Sequence, residues 1–135
     1  MRFSKPTTLV AVTVALACAP FAWAGPAAPS GDPHEAFAQT DTNHDGVIDR
    51  GEYAARVTEV FYFADKDKDG FLEVDEQKAL VFPEDFSTDD KDANGRISLH
   101  EFERVRFQDF EKSDTNDDGV LSIDEVVATY EEKGR

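Results

Sequence analysis

The chain has 135 residues, enough for one small domain or two very small modules. It carries 29 acidic against 14 basic residues, a formal net charge of −15, which disfavours nucleic acid and anionic membrane surfaces as partners. Such imbalance also accompanies disorder, but the acids here fall in a strict pattern and 11 phenylalanines supply material for a core.

The chain starts with Met1-Arg2-Phe3-Ser4-Lys5, short and basic, followed by the apolar run Leu9 to Ala17 and by Ala22-Trp23-Ala24-Gly25. A basic start, an apolar middle and an Ala-x-Ala site are the parts of a secretory signal peptide. Residues 1–24 are therefore expected to be removed after Ala24. This predicts an exported protein, periplasmic or secreted, of bacterial type. The apolar run is far shorter than the ~20 residues that span a bilayer, so no membrane span is expected. Ala15-Leu16-Ala17-Cys18 is a loose lipoprotein-like box, which makes a lipid anchor at Cys18 the lesser alternative. Cys18 is the single cysteine, so cleavage leaves no disulfide framework, and bound metal is one remaining way to staple a small domain.

Residues 25–31, rich in Pro, Ala and Gly, read as a flexible tether. Asp32-Pro33-His34-Glu35 then predicts a helix start, with Asp32 as N-cap, Pro33 in the first turn and Glu35 completing a capping box. A repeat follows. Asp41 to Glu52, Asp65 to Glu76, Asp90 to Glu101 and Asp114 to Glu125 all fit the twelve-residue pattern Asp-x-[Asp/Asn]-x-[Asp/Asn]-Gly-x5-Glu. Calcium takes six to eight oxygen ligands, and oxygen-bearing side chains at every second position bring them to one point. Glycine at the sixth position permits the sharp turn that this requires.

Two other features recur. The eighth loop position is always aliphatic, as Ile48, Leu72, Ile97 and Leu121, and a phenylalanine always stands four residues before the loop, as Phe37, Phe61, Phe86 and Phe110. The phenylalanines read as core. Between the first two loops, Tyr53, Val57, Val60, Phe61 and Ala64 form the stripe of one continuous amphipathic helix. With its flanks it would be about 22 Å long and would hold the two loops at opposite ends, too far apart to pair. Pro83 interrupts the next connection and fits the start of a new helix. The expectation is a chain folded back at Pro83, pairing loop 2 with loop 3 and loop 1 with loop 4, with helices over 53–64 and 102–113 side by side. The competing arrangement pairs 1 with 2 and 3 with 4.

These loops, aliphatics and phenylalanines resemble the EF-hand, the helix–loop–helix calcium site of calmodulin and its relatives. The resemblance covers 32–135. It implies an all-α fold of helix–loop–helix repeats with four calcium loops joined by short β-bridges, as one compact domain or two tightly coupled pairs. It also implies up to four Ca2+ ions, with Mg2+ as a second candidate at some loops. The implied ligands of loop 1 are Asp41, Asn43, Asp45, the Val47 carbonyl, Asp49 and Glu52; those of loop 2 are Asp65, Asp67, Asp69, the Phe71 carbonyl, Glu73 and Glu76. Loop 3 would use Asp90, Asp92, Asn94, the Arg96 carbonyl, Ser98 and Glu101, and loop 4 Asp114, Asn116, Asp118, the Val120 carbonyl, Ser122 and Glu125. Loop 2 has the most carboxylates. Loop 3 has few and is entered through Ser87-Thr88-Asp89, so it is expected to be the weakest site.

The chain departs from calmodulin-like hands where a second large apolar residue usually precedes the loop. Thr40, Ala64, Asp89 and Ser113 stand there, which predicts less core from the entering helices. His34, His44 and His100 read as surface residues, and no catalytic role is expected. The leading functional reading is a calcium sensor or buffer outside the cytoplasm, and a sensor would in addition need a protein target. The alternative is a structural, adhesion or accessory module that calcium holds folded.

Overall fold

The computed structural model describes residues 27–135; the expected signal peptide, Cys18 and the first two tether residues lie outside them. Six helices and two short strands follow: α1 (Pro33–Thr40), α2 (Arg50–Ala64), β1 (Phe71–Leu72), α3 (Val74–Gln77), α4 (Phe86–Asp89), β2 (Ile97–Ser98), α5 (Leu99–Ser113) and α6 (Ile123–Lys133). This is the helix–loop–helix, all-α fold with short β-bridges that the repeats imply.

Local chemistry sets the helix ends. Asp49, Ser98 and Ser122 each accept the backbone N–H of the glutamate three residues on. That glutamate returns its carboxylate to the N-cap N–H, so α2, α5 and α6 all start in closed capping boxes. Each entering helix ends with the N–H of the first loop aspartate donating to the carbonyl of the repeated phenylalanine: Asp41 to Phe37, Asp65 to Phe61, Asp90 to Phe86 and Asp114 to Phe110. At α1, Asp32 caps as expected, accepting the N–H groups of His34 and Glu35. Glu35 does not close the box, because its carboxylate accepts the Ser30 hydroxyl at 2.7 Å instead, and Ser30 Oγ takes the Asp32 N–H at 3.1 Å.

The long helix between loops 1 and 2 is unbroken, as its apolar stripe requires, and α5 lies antiparallel against it. Tyr53 meets Phe110 at 5.0 Å near one end, and Phe61 meets Phe102 at 5.7 Å near the other. The strands settle the pairing of the loops. Phe71 faces Ser98 and Leu72 faces Ile97 in an antiparallel ladder, and a separate bridge joins Ile48 to Leu121. Loop 2 thus pairs with loop 3 and loop 1 with loop 4, across the chain reversal at Pro83. Proline does not itself start the helix that follows. Asp85 is the N-cap of α4, because the Glu84 carbonyl is held by Gln77 Nε2 at 3.0 Å and its carboxylate by Lys133 at 3.1 Å.

The core has two parts, one per loop pair. Val57, Phe61, Ala64, Leu72, Leu80, Ile97 and Phe102 form the first, and Ile48, Phe110, Leu121 and Val126 the second, with Tyr53 packed against both. Burying each of the fully enclosed phenylalanines, Phe61, Phe102 and Phe110, contributes roughly 1.5–3 kcal/mol. The positions just before the loops are buried in three of four cases, as Thr40, Ala64 and Asp89. The polar ones add hydrogen bonds where apolar contact was forgone: Thr40 Oγ1 donates to the Ala36 carbonyl, and Ser113 accepts from Thr129 at 2.8 Å.

Candidate metal centre

All four loops share one backbone path. The fourth position is left-handed, at φ 59 for His44, 63 for Lys68, 57 for Ala93 and 57 for Asp117, and the glycine two residues on has φ between 84 and 88. A Cβ on Gly70 would meet nothing within 4 Å, so backbone conformation and not crowding selects glycine there.

This path turns N–H groups inward onto the acidic side chains. The first aspartate accepts the N–H of the sixth-position glycine: Gly46 to Asp41, Gly70 to Asp65, Gly95 to Asp90 and Gly119 to Asp114, at 2.9–3.1 Å. The third position accepts the fifth residue's N–H, on Asn43, Asp67, Asp92 and Asn116. The fifth accepts that of the seventh, on Asp45, Asp69, Asn94 and Asp118. Side-chain oxygens at loop positions one, three and five are thereby held in place by the loop itself.

The twelfth-position glutamate closes each ring from the exit helix. One carboxylate oxygen of Glu101 accepts the N–H groups of Lys91 at 2.9 Å and Asp92 at 3.2 Å; the other accepts Ser98 N–H at 3.0 Å. Glu52, Glu76 and Glu125 repeat the arrangement on Thr42, Lys66 and Thr115. In loops 1 and 4 the hydroxyls of Thr42 and Thr115 join in. The N–H of Asn43 and other loop donors hold the Glu52 carboxyl below its ordinary range. At Glu76, Glu101 and Glu125 burial pushes upward, but the donated hydrogen bonds outweigh it and the net shift is downward. Glu73 shifts upward instead, through its side-chain hydrogen bond with Glu76.

Carboxylate oxygens converge most closely in loops 2 and 3. Asp65, Asp67 and Glu76 lie within 4.8 Å of one another, as do Asp67, Asp69 and Glu73, and Asp90, Asp92 and Glu101. Loops 1 and 4 carry Asn43 and Asn116 where loop 2 has Asp67, so fewer of their converging oxygens are charged. One atom tests whether a cation fits. Asp65 is 1% exposed, and its Oδ1 is buried with no hydrogen-bond partner. A buried carboxylate oxygen without a partner is costly, and three acids this close repel. A cation bound among Asp65, Asp67 and Glu76 would relieve both penalties, and an all-oxygen donor set suits a hard ion such as calcium.

Of the other expected ligands, Asp49, Ser98 and Ser122 at position nine act as helix N-caps and so sit directly beside the twelfth-position glutamate. His34, His44 and His100 are exposed. His44 Nδ1 lies 2.9 Å from the Asp41 carbonyl, an outer support of loop 1. Sequence reasoning missed the support behind loop 3. Asp89, fully buried, is paired by Arg106 at 3.1 Å and receives Gln77 Nε2 at 3.1 Å. Burial pushes its carboxyl upward, and the Arg106 guanidinium partly offsets this. A carboxylate at a position that normally takes an apolar residue was the available signal.

Four acidic loops, each between two helices and each bridged to another at its eighth position, define a calcium-binding protein of the helix–loop–helix class. A family model described as EF hand matches residues 34–58, 57–81, 84–105 and 107–128, well over half of the chain. The chain belongs to the EF-hand family, and calcium binding is the function that membership carries. A comparison with curated proteins gave no match.

Proposed function

We propose that this is an exported calcium-binding protein that takes up to four ions, one per loop, and serves as a calcium buffer or sensor outside the cytoplasm. The observation that carries the reading is the frame common to all four loops, in which backbone N–H groups hold the side-chain oxygens of positions one, three and five. Oxygens already held need little further ordering when an ion arrives. When bound, calcium would neutralise the converging carboxylates; Asp65, Asp67, Asp69, Glu73 and Glu76 would hold it in loop 2. Mg2+ competes where fewer carboxylates are offered, at loops 3 and 4. Export rests on residues 1–24, and mass spectrometry of the secreted or periplasmic protein should find a chain starting at Gly25.

The bridge between Ile48 and Leu121 favours a second reading. It joins the two ends of the domain across four acid-rich loops, so calcium could be what holds the fold closed. One calcium titration followed by far-UV circular dichroism and ANS fluorescence separates the readings. Unchanged structure marks a buffer, rising ANS signal a sensor, and folding from coil a calcium-held module. Absence of any saturable calcium binding would overturn all three.

A further inference from the structure

An apolar cavity of about 220 Å³ lies between the two loop pairs, walled by residues of both core clusters, among them Ile48, Val57, Phe102 and Leu121. It is larger than the roughly 150 Å³ apolar cavity that suffices to take up benzene. Its wall also contains three cations, Arg56, Arg106 and Lys133, against one acid, Asp109, although the chain as a whole carries −15.

Two of those cations are already matched by carboxylates. Arg106 contacts Asp89, Asp109 and Glu84, and Lys133 contacts Asp109 and Glu84. Arg56 is different. Its side chain is only 11% exposed, and among the described residues its one carboxylate contact is Glu59 at 3.1 Å, itself 51% exposed. Its other contacts are neutral carbonyl oxygens: Ala27 at 3.1 Å, Ala28 at 3.5 Å and the side chain of Gln39. Guanidinium presents a planar fork that matches a carboxylate, and here two backbone carbonyls share it with Glu59 and Gln39. Those carbonyls belong to the segment whose next residues, Pro29 and Ser30, line the cavity.

We propose that the cavity is a binding site for a small amphiphile with an apolar body and one carboxylate. The body fills the space between the loop pairs, and the carboxylate replaces the Ala27 and Ala28 carbonyls on Arg56. Residues 27–30 would move aside, giving up the hydrogen bond from Tyr130 Oη to the Ser30 carbonyl, 3.2 Å long. The half-exposed Glu59 can turn to solvent at little cost, as surface ion pairs contribute little.

Octanoate and octanol, titrated separately by calorimetry into the calcium-loaded full chain, test this. Octanoate should bind once per chain and about tenfold or more tighter than octanol, the scale of a charge-assisted contact. Arg56→Gln should bring octanoate down to the level of octanol and leave octanol unchanged. Val57→Phe, which fills the cavity, should abolish both, with unaltered circular dichroism showing that the variant folds; if it does not fold, the Arg56→Gln comparison decides alone. Equal affinity for the two probes, octanoate binding that survives Arg56→Gln, or no binding of either would overturn the proposal.

Discussion

Truncating Leu72 to alanine and Ile97 to valine, singly and together, measures the pairing of loops 2 and 3. Both side chains are at 0% exposure and face each other in the ladder, so the full cost of core truncation applies. That is about 2–5 kcal/mol for Leu72→Ala and about 0.5–1.5 for Ile97→Val. Valine is used at 97 because two alanines would approach the ~5–15 kcal/mol that holds a small domain together. The control is Ile48→Val, 3% exposed but in the other cluster, bridged to Leu121. Urea unfolding at saturating calcium, read by far-UV circular dichroism with slopes compared, gives each cost. Leu72 and Ile97 should couple by about 0.5 kcal/mol or more, while Leu72 and Ile48 should add to within about 0.5. Coupling between Leu72 and Ile48, with additivity between Leu72 and Ile97, would refute the 2–3 and 1–4 arrangement.

Glu→Gln changes made separately at 52, 76, 101 and 125 remove one charged closing oxygen per loop. Calorimetry should show the weakest calcium phase altered most by Glu101→Gln, because loop 3 is entered by the single turn α4; an unchanged weak phase in that variant counts against the ranking. Acid should destabilise the protein, since the folded-state carboxyls of Glu52, Glu76, Glu101 and Glu125 lie below their ordinary 4.5. Their contribution is fully present above that value and is lost as pH falls through the lowered folded values. Glu73 and Asp89, shifted upward, oppose this with fewer groups. A melting temperature that holds steady from pH 6 down to about 3 would contradict the balance. Arg106→Met, which leaves Asp89 buried and unpaired, should cost about 3–5 kcal/mol. Adding Asp89→Asn should recover much of it in the same unfolding assay; equal losses in the single and double variants would place Arg106's role elsewhere.

The loops were legible because the demands of an ion act over twelve consecutive residues and leave a mark at fixed spacing. The unbroken α2 was legible because Tyr53 to Ala64 keeps helical period from one loop to the next, and its length argued against pairing loops 1 and 2; the strands then decided between the two arrangements left open. Pro83 marked the reversal but not the helix start. Whether α4 begins at Pro83 or at Phe86, after the Asp85 cap, depends on Gln77 seven residues before Glu84 and on Lys133 from the far end of the chain. Asp89 was legible only as a missing apolar residue; its partner Arg106 lies on another helix, and no local periodicity announces such a contact. Glu35 shows the same limit on a smaller scale, since Ser30 in the preceding irregular segment competes for its carboxylate.

The close spacing of the repeats has a mechanical consequence. In a hand with its own two helices, an ion can alter the angle between them without disturbing the next hand. Here α2 leaves loop 1 and enters loop 2, while α5 leaves loop 3 and enters loop 4. Each is an unbroken rod of 15 residues, about 22 Å long, and the two are locked together by Tyr53–Phe110 at one end and Phe61–Phe102 at the other. A shift of either rod at one loop pair is therefore a shift at the other. Glu52 and Glu101 sit in the first turns of these rods, and Asp65 and Asp114 cap their ends, so the groups that would hold the ions are also the groups that fix the rods. Any coupling between the pairs must act reciprocally, and the shared helices, with no separate linker between loops 1 and 2 or between loops 3 and 4, are the route the fold provides for it.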